Sequence, residues 1–309
     1  VVTSVDTASE ALTISIAERA CVDLGFMFSL SGKPVEELTA DLRGVIFHDP
    51  TLGPLEDHAG WVTADEYLSG NVRQKLRQAE AAAADNPAYQ VNVEALQAAQ
   101  PKDLDASEIE VRLGATWIDK SYIKQFMFET FDTPRYLRYS MDVQYSPYTA
   151  AWSISSKTRI SYNDVAAWNT YGTDCVSAYE ILEDSLNLRD VQVYDTIEDA
   201  DGKKKRVLNA KETTLAAQKQ QLIRDAFKDW IWADPERRQA LVRQYNEEMN
   251  SIRPREYDGR HIVFAGMNPE ITLREHQRNA IAHVLYGGNT LLAHEVGAGK
   301  TFEMVAAAM

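Results

Sequence analysis

Near the C-terminal end of the chain, a short glycine loop stands between a β-prone run and an apolar helix. Asn289–Ala293 is followed by His294-Glu295-Val296-Gly297-Ala298-Gly299-Lys300-Thr301, and residues 302–309 continue as an apolar helical pattern. Glycines at 297 and 299 let backbone N–H groups turn inward without a Cβ in the way. A helix that begins at Lys300 adds the positive end of its dipole. This order predicts a phosphate-binding loop, in which Lys300 reaches the β and γ phosphates and Thr301 holds Mg²⁺.

One position departs from the general pattern of such loops. The consensus places a glycine five residues before the last glycine, where this chain has His294. A tight glycine turn beside a solvent-exposed lysine is the alternative interpretation. Because the string stands between a β-prone run and an apolar helix, the sequence favours nucleotide binding.

The chain is acidic as a whole, but its acidity is uneven. Its 309 residues carry a formal charge of −14, and 45% are hydrophobic, which excludes a disordered tail and allows about two domains. The net charge is −9 over residues 1–100, −8 over 101–200 and +3 over 201–309. A surface that binds a polyanion is therefore expected in the last third.

Several classes of protein are excluded. The longest apolar runs fall short of the roughly 18–20 residues that a membrane span requires, and the first residues lack the pattern of a secretory signal. Cys21 and Cys175 are far apart, which excludes a disulfide framework or a zinc ribbon and fits a cytoplasmic protein. Because the chain starts without methionine and stops inside an apparent helix, we expect a piece of a longer polypeptide.

Three regions are expected, in an α+β fold. Residues 1–104 form a helix-rich N-terminal region, residues 105–265 an α+β region, and residues 266–309 the opening of a P-loop, RecA-like α/β lobe. In the first region we expect helices over 12–25 and 35–44. A DNA-binding helix-turn-helix is an alternative there, but its second helix would carry acidic residues, so a simple packing pair is preferred.

The middle region predicts a strand over Glu108–Ile118 and a helix over Asp119–Phe131. Aromatic residues are concentrated over 117–152, where a buried core is preferred to a platform for unpaired bases. A β-hairpin is expected from strands over Val191–Tyr194 and Lys203–Leu208 with its turn at Asp201-Gly202. Helices follow over 213–231 and 235–252, with Asp234 as the N-cap of the second.

Basic side chains over residues 203–260 could form a surface that contacts DNA phosphates. Pairing with acidic neighbours in the same stretch is an equally weighted alternative. The basic residues concerned are the run Lys203–Arg206 and Arg237, Arg238, Arg243, Arg253, Arg255 and Arg260.

Leu273-Arg274-Glu275-His276-Gln277, 23 residues before Lys300, adds a second motif. Together with the loop it resembles the first two motifs of superfamily-two helicases and translocases, closest to the Swi/Snf-like branch, whose loop reads Asp-Glu-Met-Gly-Leu-Gly-Lys-Thr. Five positions match, while His294, Val296 and Ala298 depart from it. The resemblance implies ATP and Mg²⁺ as cofactors, bound through Gln277, Gly297, Ala298, Gly299, Lys300 and Thr301. Gln277 would read the adenine edge, since an amide is both donor and acceptor.

Residues 105–309 are also similar to the large methylase-helicase proteins of bacterial conjugative elements and phages. The similarity lies in Leu113–Ile118, Ser185–Asp190, Arg255–Gly259 and Gly266–Glu270. It implies an ATP-driven DNA helicase or translocase of a mobile genetic element, with a methyltransferase-like region in the same parent chain. Asp85-Asn86-Pro87-Ala88-Tyr89 superficially resembles the methyltransferase signature for a flipped adenine, but a helix-terminating turn is the preferred interpretation.

The chain carries neither a second acidic motif nor the arginines that stabilise the transferring phosphoryl group. The isolated chain is therefore expected to be inactive in ATP hydrolysis, which the full-length protein would perform with Lys300 as a catalytic residue. The alternative is a non-catalytic interaction module that links a methyltransferase-like region to a motor. A P-loop kinase or GTPase is disfavoured, since those enzymes have no use for the Gln277 motif.

Overall fold

The computed structural model describes residues 4–198, 204–260, 262–264, 266–268, 270–287 and 289–308. The helices in chain order are α1 (Ala8–Arg19), α2 (Leu24–Ser31), α3 (Val35–Asp41), α4 (Ala64–Tyr67), α5 (Val72–Asp85), α6 (Gln90–Ala98), α7 (Lys120–Thr130), α8 (Arg135–Arg138), α9 (Ala178–Leu186), α10 (Ala210–Ala233), α11 (Pro235–Glu248), α12 (Glu275–Tyr286) and α13 (Lys300–Ala308).

The strands are short and form four two-stranded antiparallel sheets, β1 with β2, β3 with β8, β4 with β5 and β6 with β7. Their bounds are β1 (Ile46–His48), β2 (Trp61–Thr63), β3 (Gly70–Asn71), β4 (Val143–Ser146), β5 (Ala151–Ile154), β6 (Tyr194–Glu198), β7 (Lys204–Leu208) and β8 (Ile252–Arg253). The described residues therefore have a helix-rich α+β fold, and no parallel sheet is found among them.

The chain divides into two compact units. Unit 1 comprises Val1–Lys102 and Met249–Met309, and unit 2 comprises Asp103–Glu248. Unit 2 has a continuous hydrophobic core in which α7, α9 and α10 pack together. Phe126 lies edge-on to Phe131 and Phe227, with ring centroids 6.0 and 5.1 Å apart. The three-region division predicted at residues 104 and 265 stays a prediction.

Unit 1 is discontinuous in sequence, and its second segment is bonded to its first. β8 pairs with β3, and the Arg73 Nε donates to the Asn250 carbonyl oxygen at 3.0 Å. Farther along, the Arg255 guanidinium lies 2.9 Å from an oxygen of Asp65 and 3.5 Å from one of Glu66. These contacts attach the chain leading to α12 to the N-terminal segment.

The predicted helix over 12–25 is two helices. Ala20 adopts a left-handed conformation with φ of 56° and ends α1. Ser15 donates to the Cys21 carbonyl at 2.8 Å and accepts from the Asp23 N–H at 3.0 Å, which fixes the turn into α2. The prediction missed this break because no glycine or proline marks it.

The predicted strand Glu108–Ile118 is also wrong, since these residues form turns and irregular chain. Ile109, Val111 and Leu113 are buried as their alternation suggests. Burial of one side of a chain requires no neighbouring strand, whereas a strand needs a hydrogen-bonded partner. The pattern therefore indicated burial correctly and secondary structure incorrectly.

Other predictions are confirmed. Helix α7 begins after Asp119, which caps it, and α11 begins at Pro235 with the Arg237 N–H donating to Asp234 at 2.7 Å. The Asp85–Tyr89 segment ends α5 and continues as a short 3₁₀ helix. The hairpin forms from β6 and β7, but its first strand begins at Tyr194, where the predicted one ended, and residues 191–193 are irregular. Its turn at Asp201-Gly202 lies outside the described residues.

The aromatic concentration over 117–152 is divided between core and surface. Phe126, Phe131 and Trp152 are buried, whereas Tyr139 and Tyr148 are almost fully exposed. The core interpretation therefore holds for only part of the set. No helix of the described residues is long and apolar enough to cross a membrane.

Candidate phosphate-binding loop

The predicted strand Asn289–Ala293 is not a strand in the structure. These residues are irregular, and the Ala293 N–H donates to the Leu291 carbonyl two residues earlier, at 3.2 Å. Among the described residues no strand lies beside the run to form a ladder, so β-prone side chains alone do not produce one. The parallel sheet of a RecA-like lobe is thus not part of the observed fold.

The loop has a backbone suited to anions. Gly297 and Gly299 both adopt positive φ, 93° and 92°, a conformation in which a side chain would be strained. Within the described part of the chain, the N–H groups of Gly297, Gly299, Lys300 and Thr301 donate to no protein acceptor. Four such groups at the start of α13, together with the helix dipole, can bind the oxygens of a phosphate.

Lys300 is directed to the loop itself. Its Nζ donates to the carbonyl oxygens of His294 at 2.6 Å and Glu295 at 3.1 Å. A phosphate would have to replace these two acceptors for the ammonium group to reach it.

Thr301 is the candidate Mg²⁺ ligand. Its side chain is exposed, and among the described residues its hydroxyl makes no hydrogen bond. A free hydroxyl oxygen at the start of the helix suits a hard cation that keeps several of its waters. The donor set of this residue therefore fits Mg²⁺ when a nucleotide supplies phosphate oxygens.

Gln277 reaches the loop from α12. Its amide nitrogen donates to the carbonyl oxygens of Ala298 at 3.2 Å and Gly299 at 3.5 Å, and its amide oxygen accepts from the Arg274 N–H at 2.9 Å. The residue is buried, and α12 packs against α13. The two motifs, distant in sequence, are thus adjacent in space. Because both ends of the amide are occupied, reading an adenine edge requires at least one of these bonds to break.

Three further residues surround the loop, and sequence reasoning gave none of them a role. His276 Nε2 lies 3.1 Å from the Ala298 carbonyl oxygen, and its ring is edge-on to that of His294 at 5.9 Å. His294 Nδ1 lies 3.0 Å from Oε1 of Glu303, a fully buried carboxyl. The available signal was an acidic residue at 303, inside the apolar part of α13.

Three arginines among the basic residues over 203–260 have bonded partners within the protein. Arg237 is buried over the Trp230 ring and donates to the carbonyl oxygens of residues 230 and 231. Arg255 and Arg260 form ion pairs with acidic side chains. For Arg260, whose partners are Asp258 and Glu275, the alternative of pairing with acidic neighbours in the same stretch is correct. The partners of Arg255 lie in the N-terminal segment and those of Arg237 are backbone carbonyls, while Lys203 lies outside the described residues.

The N-terminal segment contains three helices followed by the β1–β2 hairpin. This order is that of a winged helix, in which the helix equivalent to α3 enters the DNA groove. Here α3 carries Glu36, Glu37 and Asp41, and Lys33 bonds to the last two at 2.8 Å each. The preference for a simple helical pair overlooked the hairpin, while its observation that the second helix is acidic holds.

Two segments of the chain match known families. Residues 4–61 match a family described as "Probable helicase, winged helix domain", and residues 112–251 match a domain of unknown function (DUF8437). No curated protein and no solved structure matches the chain. The N-terminal match relates this chain to helicases and is consistent with DNA as a partner, because winged helices typically bind DNA.

Proposed function

We propose that the chain is part of an ATP-dependent DNA helicase or translocase of the Swi/Snf-like branch, belonging to a mobile genetic element. It binds ATP through Gln277, Gly297, Ala298, Gly299, Lys300 and Thr301, with Mg²⁺ at Thr301. In the full-length protein, hydrolysis at this loop is coupled to movement on DNA. A methyltransferase-like region in the same parent chain belongs to the same proposal.

The contact between Gln277 and the loop carries the proposal. A glutamine that serves only as a helix-surface residue has no reason to be buried against the carbonyls of a glycine loop 21 and 22 residues away. The unpaired N–H groups at the start of α13 add an anion site at the same place. Support for a helicase comes independently from the family match at residues 4–61.

Binding of a fluorescent ATP analogue to the 309-residue chain tests the proposal. We expect the wild type to bind in the presence of Mg²⁺ and Lys300→Ala to bind more than about tenfold more weakly, because the phosphates lose their cation. Lys228→Ala, at an exposed position of α10, is the matched control and should bind as the wild type does. Absence of binding by the wild type would instead favour the non-catalytic interaction module.

A further inference from the structure

Glu303 is a buried carboxyl whose presence the packing of α13 does not explain. It lies in the first turn of the helix, fully buried, where Ala306 is the next inward-facing residue. Oε1 contacts Nδ1 of His294, and within the described residues Oε2 has no hydrogen-bond partner. A buried carboxyl with one unpartnered oxygen opposes folding, so an apolar residue would serve the helix better.

The His294–Glu303 pair joins the two ends of the glycine loop of residues 295–299. His294 is the residue through which the chain enters the loop, and Glu303 follows the loop by one helical turn. A second bond joins the same two ends, from Lys300 Nζ to the His294 carbonyl oxygen at 2.6 Å. Residues 295–299 are therefore enclosed by two contacts that both involve His294. His276 holds the loop from another side through the Ala298 carbonyl oxygen.

A bound nucleotide would break one of these two contacts of His294 and leave the other intact. When Lys300 turns to the β and γ phosphates, its bond to the His294 carbonyl oxygen is lost. The side-chain contact between His294 and Glu303 involves no group that a phosphate would take. It can keep the two ends of the loop together, and thereby keep the N–H groups of Gly297 and Gly299 aligned, while the lysine moves.

We infer that Glu303 and His294 form a positioning pair that closes the phosphate loop and keeps it shaped for a nucleoside triphosphate. The carboxylate of Glu303 accepts from the Nδ1–H of His294, which fixes the tautomer and the ring orientation of the histidine. Neither residue touches the ligand. This inference rests on the proposed function, since it assigns the pair a part in the same ATP site.

Equilibrium binding of the fluorescent ATP analogue to the full chain, with a double-mutant cycle, tests the pair. Glu303→Met, which has no strong acceptor for the Nδ1–H, and His294→Ala should each weaken binding by about tenfold through lost pre-organisation, and the double variant no more than either alone. His294→Asn should bind within about threefold of the wild type, because the asparagine amide nitrogen replaces the Nδ1 donor. In the wild type, ¹⁵N shifts of the His294 ring should report a proton on Nδ1, and Glu303→Met, which removes the acceptor, should shift them.

The outcomes separate the two proposals. If Lys300→Ala weakens binding by more than about tenfold while Glu303→Met binds as the wild type does, the positioning pair is wrong and the proposed function stands. Additive losses in the double variant, or a His294→Asn variant as weak as His294→Ala, also overturn the pair. If the wild type does not bind the analogue, the proposed function fails and the inference fails with it. Glu303→Met should unfold at no lower temperature than the wild type, because it removes a buried unpartnered oxygen, and a lower unfolding temperature would assign Glu303 to folding and overturn the pair.

Discussion

The core of unit 2 and the loop of residues 294–301 differ in whether their groups find partners within the protein. Phe227 is fully buried, and the rings of Phe126 and Trp230 lie 5.1 and 6.4 Å from its ring. In the loop, Val296 is fully exposed and four backbone N–H groups have no partner among the described residues. The Phe227 side chain is covered by protein atoms alone, whereas the N–H groups of the loop remain available to a ligand or to water.

The largest expected effect is on the core. Phe227→Ala should lower the free energy of unfolding by about 3–5 kcal/mol, because it removes a fully buried ring and leaves a cavity. Val296→Ala, at the exposed loop position, should change that free energy by less than about 0.5 kcal/mol. Urea denaturation of both variants measures the difference, and equal effects would show that the comparison is mistaken.

A smaller effect distinguishes the two glycines of the loop. Replacing either glycine by alanine should lower the free energy of unfolding by about 1–2 kcal/mol, because both positions have positive φ, where a side chain is strained. A Cβ at 299 would also overlap the Gln277 amide nitrogen, whereas a Cβ at 297 meets open space. Gly299→Ala should therefore bind the ATP analogue more weakly than Gly297→Ala. Equal affinities would mean that the Gln277 contact does not shape the loop.

The smallest effect concerns a polar group inside the core. The Tyr179 hydroxyl lies 2.8 Å from Thr133 Oγ1, and burial raises the pKa of Tyr179 to about 12. Tyr179→Phe should lower the free energy of unfolding by about 1 kcal/mol at pH 8.

The pH dependence of that difference has a definite sign. The folded pKa of Tyr179 is above its ordinary value of 10.0, so the stability it contributes is complete below pH 10 and is lost as the pH rises towards 12. The gap between wild type and Tyr179→Phe should narrow between pH 9 and pH 11. A gap that widens would contradict the assigned burial of the hydroxyl.

Local signals predicted the helices well and the strands poorly. Asp119, Asp234 and Pro235 act within one turn of the residues that they cap, so their effect can be recognised in the sequence alone. The runs 108–118 and 289–293 have β-prone side chains but no neighbouring strand among the described residues. Strand formation depends on a distant partner, which a local pattern cannot supply.

The site shows the same limit. Gly297, Gly299, Lys300 and Thr301 form a local motif, and their proximity follows from their spacing. The approach of Gln277 was expected only through the family resemblance, because it depends on how α12 packs against α13. The contacts of His276, His294 and Glu303 depend on side-chain placement in three dimensions, and their spacing in the sequence does not predict them.

The discontinuity of unit 1 has a consequence for the order in which the chain folds during synthesis. Unit 2 is inserted between its two segments, and the Asn246 side chain bonds both the N–H and the carbonyl oxygen of Leu104, at 2.9 and 2.8 Å, which brings the ends of unit 2 together. On the ribosome, unit 2 is complete before residues 249–309 emerge. Because folded unit 2 holds residues 104 and 246 close together, less conformational entropy is lost when β8 pairs with β3 than if residues 103–248 were a flexible loop. The loop that would hold the nucleotide is then the last part of this chain to assemble.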